Sequence, residues 1–270
     1  MNRHDSIDVQ IPEIFKFLKP TPTSKMVHLG NKFDGGYVIS SEAITNSNYL
    51  VSFGLGYDFS FERDFKNMRT QAKRVTQVDV YDHTVSRPNF LKLVVFKFIS
   101  VLRPSSTRFK NYKIWLHDYR EFFKENNHLK RKIVNIAKNK TEISAINTIP
   151  KDATDDVFLK IDIEGGEYDV LEALINIFPR ITGMAIEFHN VSTNFKDFEC
   201  LIKKLQEKHN LIYVHANNYS DLSSVGIPEV LEISFIRKDL DSNFVELSKI
   251  NTKDFDFANS VRRPSYVLHF

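Results

Sequence analysis

A single cysteine in 270 residues, Cys200, leaves no intramolecular disulfide to form and no cysteine-based zinc site. Flanked by Glu199 and Leu201 in a helical pattern, it reads as a buried apolar filler. Long apolar runs are missing as well. The longest, Phe90–Leu102, spans 13 residues and contains Lys92 and Lys97, whereas crossing a bilayer takes roughly 20 apolar residues. The opening residues, MNRHDSIDVQ, lack the apolar stretch of a secretory signal, so a cytosolic location is expected. Neither charge dominates: 37 Lys+Arg against 34 Asp+Glu leave +3, too little to imply nucleic acid as a partner. Basic density at 103–113 and 124–140 reads as a solvated helix face. The chain has no G-x-x-x-x-G-K-[ST] loop, no G-x-S-x-G elbow and no H-E-x-x-H helix, so those phosphate-binding, hydrolase and metalloprotease chemistries find no support.

Glycine is scarce too, and its placement is informative. Seven of the nine fall in three clusters, Gly30/Gly35/Gly36, Gly54/Gly56 and Gly165/Gly166. Each cluster has acids beside it: Asp34, Asp58, and the pair Asp162/Glu164. Glycine allows positive φ and close backbone approach, so acid-flanked glycine turns suit a ligand with hydroxyls and an amine better than a polyphosphate.

Hydrophobic residues at 42 % and charged residues at 26 % describe an ordinary folded protein, with 23 Phe and 10 Tyr to build its core. Short β-branched or aromatic runs alternate with helical stretches, which predicts parallel βαβ units. Strands are expected at 49–54, 74–79, 132–136, 157–163, 183–188, 211–215 and 229–236, with helices at 61–71, 167–176 and 194–209. The length fits one α/β domain, a seven-stranded doubly wound sheet over 1–270. Residues 1–30 read as an N-terminal helix and linker. Residues 86–130 interrupt the rhythm and form either a lid over the site or a helix packed on the sheet edge.

A buried strand runs into Gly54-Leu-Gly56 and a helix follows; the third glycine of the dinucleotide fingerprint is replaced by Phe59. Asp82 lies just past the second strand, 26 residues after Gly56, where an acid can accept both ribose hydroxyl protons of an adenosine. Asp79 is the reserve for that role, and a helix cap is the structural alternative for Asp82.

The segment Val157-Phe-Leu-Lys-Ile-Asp162-Ile-Glu164-Gly-Gly-Glu167-Tyr-Asp-Val-Leu-Glu-Ala-Leu174 closely resembles the central motif of FkbM-type methyltransferases. Asp34-Gly-Gly-Tyr37, Ser52-Phe-Gly-Leu-Gly56, Ile186-Glu-Phe-His189, His215-Ala-Asn-Asn218 and Glu232-Ile-Ser-Phe235 resemble further blocks of that family. The resemblance implies a class I methyltransferase fold with the last strand antiparallel and S-adenosylmethionine at the carboxyl ends of the strands. It implies a small-molecule acceptor, usually a sugar, polyketide or related metabolite, methylated on oxygen. Cofactor contacts are then expected at Phe53, Gly54, Gly56 and Asp82, with Asp34, Gly35 and Asp162 from the other clusters. An NAD(P)-dependent sugar oxidoreductase is the alternative, since Gly54-x-Gly56 plus Asp82 also fits adenosine.

Asp162 and Glu164 alternate at one strand end with Ile161 and Ile163 facing the core, and Glu187 and His189 alternate in the same way at the next. Glu164, His189 and Glu187 are the expected catalytic groups, because a sugar hydroxyl is a weak acid and needs a base or a metal. Asp162, Glu187 and His189 are the expected ligands if Mg²⁺ or Mn²⁺ takes part. The bland alternatives are a structural His189 and a helix-capping Glu164. Asn217 and Asn218 either bind substrate hydroxyls or form an Asx turn. Arg87, Arg103, Arg108 and Lys110 would suit a diphosphate, which makes a nucleotide-linked sugar or glycan the first expectation for the acceptor. A homo-oligomer is compatible with all of this.

Overall fold

Segments such as Tyr49-Leu-Val-Ser-Phe53 and Val157-Phe-Leu-Lys-Ile161 are apolar on both pleat faces, as strands covered on two sides must be. In the computed structural model, which describes residues 6–23, 25–72, 76–85, 107–151, 156–241, 255 and 257–270, with backbone alone for 107–112, they lie side by side in a seven-stranded sheet. Its strands are β1 (Tyr49–Phe53), β2 (Gln77–Tyr81), β3 (Asn127–Leu129), β4 (Val157–Ile161), β5 (Ile181–His189), β6 (His209–Ala216) and β7 (Val230–Arg237). Their order is β6-β7-β5-β4-β1-β2-β3. The pairs β1–β2, β1–β4, β4–β5 and β2–β3 are parallel, while β7 runs antiparallel to both β5 and β6. This is the class I methyltransferase arrangement that the resemblance implied.

Helices cover both faces. On one, α3 (Glu167–Leu174) and α4 (Phe195–Lys208) bury Leu171, Leu174, Phe198 and Leu205 against Leu159, Ile161 and Ile186. On the other, α1 (Ser60–Gln71) buries Phe61 and Phe65 against Leu50, Val78 and Phe158. A helix α2 (Thr107–Phe122) joins that second face through Tyr119, whose ring lies 6.1 Å from Phe59. No helix among the described residues is long and apolar enough to cross a membrane.

Several expected elements differ. Residues 6–30 are not a helix and linker. Ser6–Gln10 is a strand paired in parallel with Ser265–His269, Glu13–Leu18 is a short 3₁₀ turn burying Phe15 and Leu18, and Met26–Leu29 forms a hairpin with Tyr37–Ser40. The second strand is described over Gln77–Tyr81, where Val78 and Val80 meet the core, and positions 74 and 75 of its expected start lie outside the described residues. Lys132–Val134 leaves the main sheet and pairs with Glu142–Ser144; only Ile133 of that run is buried, and Ile136 is exposed. The sheet edge among the described residues is instead the short Asn127-His-Leu129, paired there with Gln77–Tyr81. Within the interrupting segment, 107–122 is a helix whose Tyr119 contacts His128 of the edge strand β3, while Phe90–Leu102 lies outside the described residues. Cys200 is exposed on the outer side of α4 and is no core filler.

Candidate active site

Parallel strands β1, β2, β4 and β5 present their carboxyl ends together, with Phe53 opposite both Tyr81 and Ile161. Ligands of open α/β sheets settle at this edge, at the point between β1 and β4 where the strand order reverses. A cavity of about 370 Å³ opens there, within the range of small-molecule sites. The Tyr37 hairpin brings Asp34 and Gly35 to its rim.

The glycine loop forms one wall. Gly54 has φ +82°, and a Cβ there would sit 1.7 Å from the Asp162 carbonyl oxygen, so β1 and β4 could not close on each other with any other residue. Gly56 has φ +56° and faces open space, which leaves room for a ligand against its backbone. The loop is held from behind by Asp82. One carboxylate oxygen accepts the Leu55 and Gly56 amides at 2.8 and 2.9 Å; the other accepts the Thr84 amide at 2.6 Å and its hydroxyl at 2.7 Å. Burial disfavours the charged form, but the bonds from Thr84, Leu55 and Gly56 prevail and hold the Asp82 pKa below the usual carboxylate value. Asp82 thus lines the cavity as expected, yet it acts as the clamp of the loop, and a ribose would share oxygens already in use. The loop, the cavity size and the acids at its ends fit an adenosyl amino-acid cofactor.

Beyond β4 the chain leaves the pleat. Asp162-Ile-Glu-Gly-Gly166 is a turn, with Glu164 at φ +57°, a left-handed conformation that costs a non-glycine residue energy. Glu167, at the start of α3, is wholly buried; one of its oxygens accepts the Ile163 amide at 3.2 Å and the Gly165 amide at 3.0 Å. The same oxygen lies 3.1 Å from Nδ1 of His189. The other imidazole nitrogen, Nε2, is 3.4 Å from both Glu164 and Glu187. Burial works against a charged imidazole here, but the bond and charge of Glu167, then Asp162 and Glu164, raise the His189 pKa above its ordinary value.

Glu187 differs from its neighbours. Burial first, then the charges of Asp162, Glu232 and Asp34, push its pKa well above the ordinary carboxylate value. It contacts the Tyr37 hydroxyl at 3.4 Å and receives the Asn217 amide at 3.2 Å. The Tyr37 hydroxyl also reaches Asp162 at 3.4 Å.

Asp162, Glu164, Glu187 and His189 are therefore brought together. The cluster whose ligand atoms all lie within 4.8 Å of one another is Asp162, Glu164 and His189. Glu164 takes the place in that group that was expected of Glu187. Asn217 touches the site through Glu187. Asn218 does not: its amide donates to the Ser260, Arg263 and Pro264 carbonyls and accepts from the Ser260 amide, so it pins the C-terminal segment. The Phe53 side chain points into the core, and its contribution to the site is the carbonyl that accepts the Asp162 amide at 2.9 Å.

Glu167, Lys160 and Glu62 went unassigned in the sequence. Lys160 is buried beside the loop, donating to the Gly54 carbonyl at 3.0 Å and lying 3.8 Å from Asp162. The acid following Gly165-Gly166 was a usable signal for Glu167. Glu62 reads merely as an acid in a first helical turn.

No curated protein matches the sequence. Among solved structures, the 23S rRNA methyltransferase ErmE is 9 % identical over 79 % of this chain and 72 % of its own, at a TM-score of 0.37. Precorrin-6y C5,15-methyltransferase from Geobacter metallireducens GS-15 is 11 % identical over 73 % and 84 %, also at 0.37. A DUF574 family protein from Streptomyces avermitilis MA-4680 is 9 % identical over 73 % and 77 %, at 0.32. Scores this low bear on neither fold nor function. The model of the FkbM methyltransferase domain, by contrast, matches residues 34–219 and gives no support to an oxidoreductase. That match covers well over half the sequence and takes in the glycine loop and the acid–histidine turn, so this chain belongs to the FkbM methyltransferase family, which implies S-adenosylmethionine as its methyl donor.

Proposed function

We propose that the protein methylates a hydroxyl group of a sugar, first of all a nucleotide-linked sugar, with His189 receiving the hydroxyl proton. The observation that supports this reading is the Glu167–His189 pair. Nδ1 of the imidazole is held by a buried carboxylate, which leaves Nε2 beside Glu164 of the cavity wall and Glu187, 3.4 Å from each. When bound, S-adenosylmethionine supplies a methyl group whose bond to sulfur breaks as the acceptor oxygen attacks. A sugar hydroxyl is too weakly acidic to attack unaided, so Nε2 takes its proton as the new C–O bond forms. Glu167 then stabilises the imidazolium and keeps the ring oriented. Asp82 and the glycine loop hold the adenosine end, and the turn after β4 aligns the acceptor with the methyl group. The sugar acceptor rests on what enzymes resembling this chain do.

A second reading has one observation in its favour, the convergence of Asp162, Glu164 and His189 within 4.8 Å. Hard oxygen ligands with one imidazole suit Mg²⁺ or Mn²⁺, which would lower the acidity barrier of the hydroxyl in place of a free base. One experiment separates the two. Transfer of label from methyl-labelled S-adenosylmethionine is followed over a panel of nucleotide-sugars, with and without chelator. Under the base reading chelator has no effect, and His189→Ala lowers turnover about 10²–10⁴-fold while affinity for S-adenosylhomocysteine stays nearly constant. Loss of activity in chelator with recovery on adding Mg²⁺ or Mn²⁺ would favour the metal. Labelling of no hydroxyl acceptor would sink the sugar assignment.

A further inference from the structure

Glu62 has no part in the chemistry above, yet its situation calls for an explanation. It is the third residue of α1 and wholly buried. One oxygen accepts the Ser52 hydroxyl at 2.6 Å, while the other, Oε2, accepts from no described group. A carboxylate oxygen buried without a donor is costly, so it persists where something else supplies one. Glu62 stands in the cavity wall with Gly54, Lys160 and Asp162. Lys160 does not satisfy it, being committed to the Gly54 carbonyl and to Asp162.

The charges of the cavity divide along its length. Arg131, Lys132 and His83 line it near the tips of β2 and β3. Around Gly54 lie four acids, Asp34, Asp58, Glu62 and Asp162, with Lys160 among them; Asp82 behind the loop and Glu164 on the turn after β4 also line the cavity. A ligand lying along this cavity therefore presents a cation at the Gly54 end. That cation must also be a hydrogen-bond donor, because what Oε2 lacks is a donor. A sulfonium carries charge but no proton to give. An ammonium carries both.

We propose that Glu62 Oε2 is the acceptor for the α-ammonium of the methionyl end of the cofactor. This rests on the reading of S-adenosylmethionine as the bound cofactor, with its adenosine toward Asp82. Glu62 then acts in recognition and takes no part in the transfer step. Ser52 holds the carboxylate in place by occupying its other oxygen.

Calorimetry on the intact chain tests this with two ligands, S-adenosylhomocysteine and its des-amino analogue, in which hydrogen replaces the ammonium. The wild type should bind the amino ligand about 10–100-fold more tightly than the analogue, as expected for a buried charge-assisted bond. Glu62→Gln, nearly isosteric, should shrink that preference to about threefold by weakening the amino ligand alone. Equal binding of both ligands by the wild type, or equal weakening of both in the variant, would overturn the proposal while leaving the cofactor intact. Binding of neither ligand by the wild type would overturn the adenosyl reading itself, and this inference with it. Should Glu62→Gln fail to fold, Glu62→Asp serves, since its shorter reach must also reduce the preference, and an unchanged preference counts against the proposal.

Discussion

At His189 two opposing effects meet, and the charge of Glu167 outweighs burial. A base must be neutral to accept a proton, and a raised pKa means neutrality is reached only at higher pH. Turnover should therefore fall as pH drops through a value above 6.5, the ordinary pKa of histidine. Glu167→Gln removes the charge and leaves the burial, so the acid limb should move to lower pH even as maximal turnover falls. A pH–rate profile checks both, and an unmoved limb would mean that Glu167 does not govern the imidazole. The two loop glycines make a contrasting pair. Gly54→Ala meets the Asp162 carbonyl at 1.7 Å and should cost more stability than the ~1–3 kcal/mol of its backbone conformation alone. Gly56→Ala meets no atom within 4 Å and should cost about 1–2 kcal/mol, but its methyl enters the cavity mouth and should weaken S-adenosylhomocysteine binding at least about tenfold. Urea unfolding and calorimetry on the two variants should rank them oppositely.

Among the elements, β4 and the turn after it show how a local rule was right in outcome and wrong in cause. Strand alternation was expected to bring Asp162 and Glu164 to one face, whereas the strand ends at Ile161 and a left-handed Glu164 does so. The run 132–136 misled for a related reason: β-branched composition marks a strand but not the sheet it joins, and pairing with Glu142–Ser144 is a tertiary outcome. The starts of β5 and β6 are joined by His209, whose Nε2 donates to the Ile181 carbonyl at 2.8 Å. Burial, opposed by backbone bonds to Ile181 and Leu205, leaves its pKa below 6.5. The folded state therefore holds the neutral ring, and the stability this contributes is full above pH 6.5 and is lost as pH falls through the lower, folded value. Urea midpoints measured from pH 7 to pH 5 should fall less steeply for His209→Gln than for the wild type. Parallel slopes would refute the assignment.

For the molecule as a whole, the two ends of the described chain meet. Ser6–Gln10 pairs with Ser265–His269, the Ile11 amide donates to the His269 carbonyl at 2.8 Å, and Tyr266 and Leu268 pack against the larger core. Deleting 265–270 strips that pairing and should lower Tm by about 5–10 °C, the equivalent of a few kcal/mol in a domain of this size. Affinity for S-adenosylhomocysteine should hold within about threefold, because these strands lie outside the cavity wall. Binding lost together with stability would show that the ends support the site directly. Sequence alone determined the order and type of the main βαβ units, the glycine loop and the acid–histidine cluster, because hydrophobic periodicity, glycine placement and motif spacing are local properties. Only the tertiary structure decided that Asp82 clamps the loop, that Asn218 ties down Ser260–Pro264, that Glu167 holds His189 and that Glu62 keeps a bare oxygen at the cavity wall. The physical reason is the same for all four: a carboxylate or amide takes its role from the donors and acceptors that meet it in space, and the sheet brings those from strands and turns up to tens of residues apart.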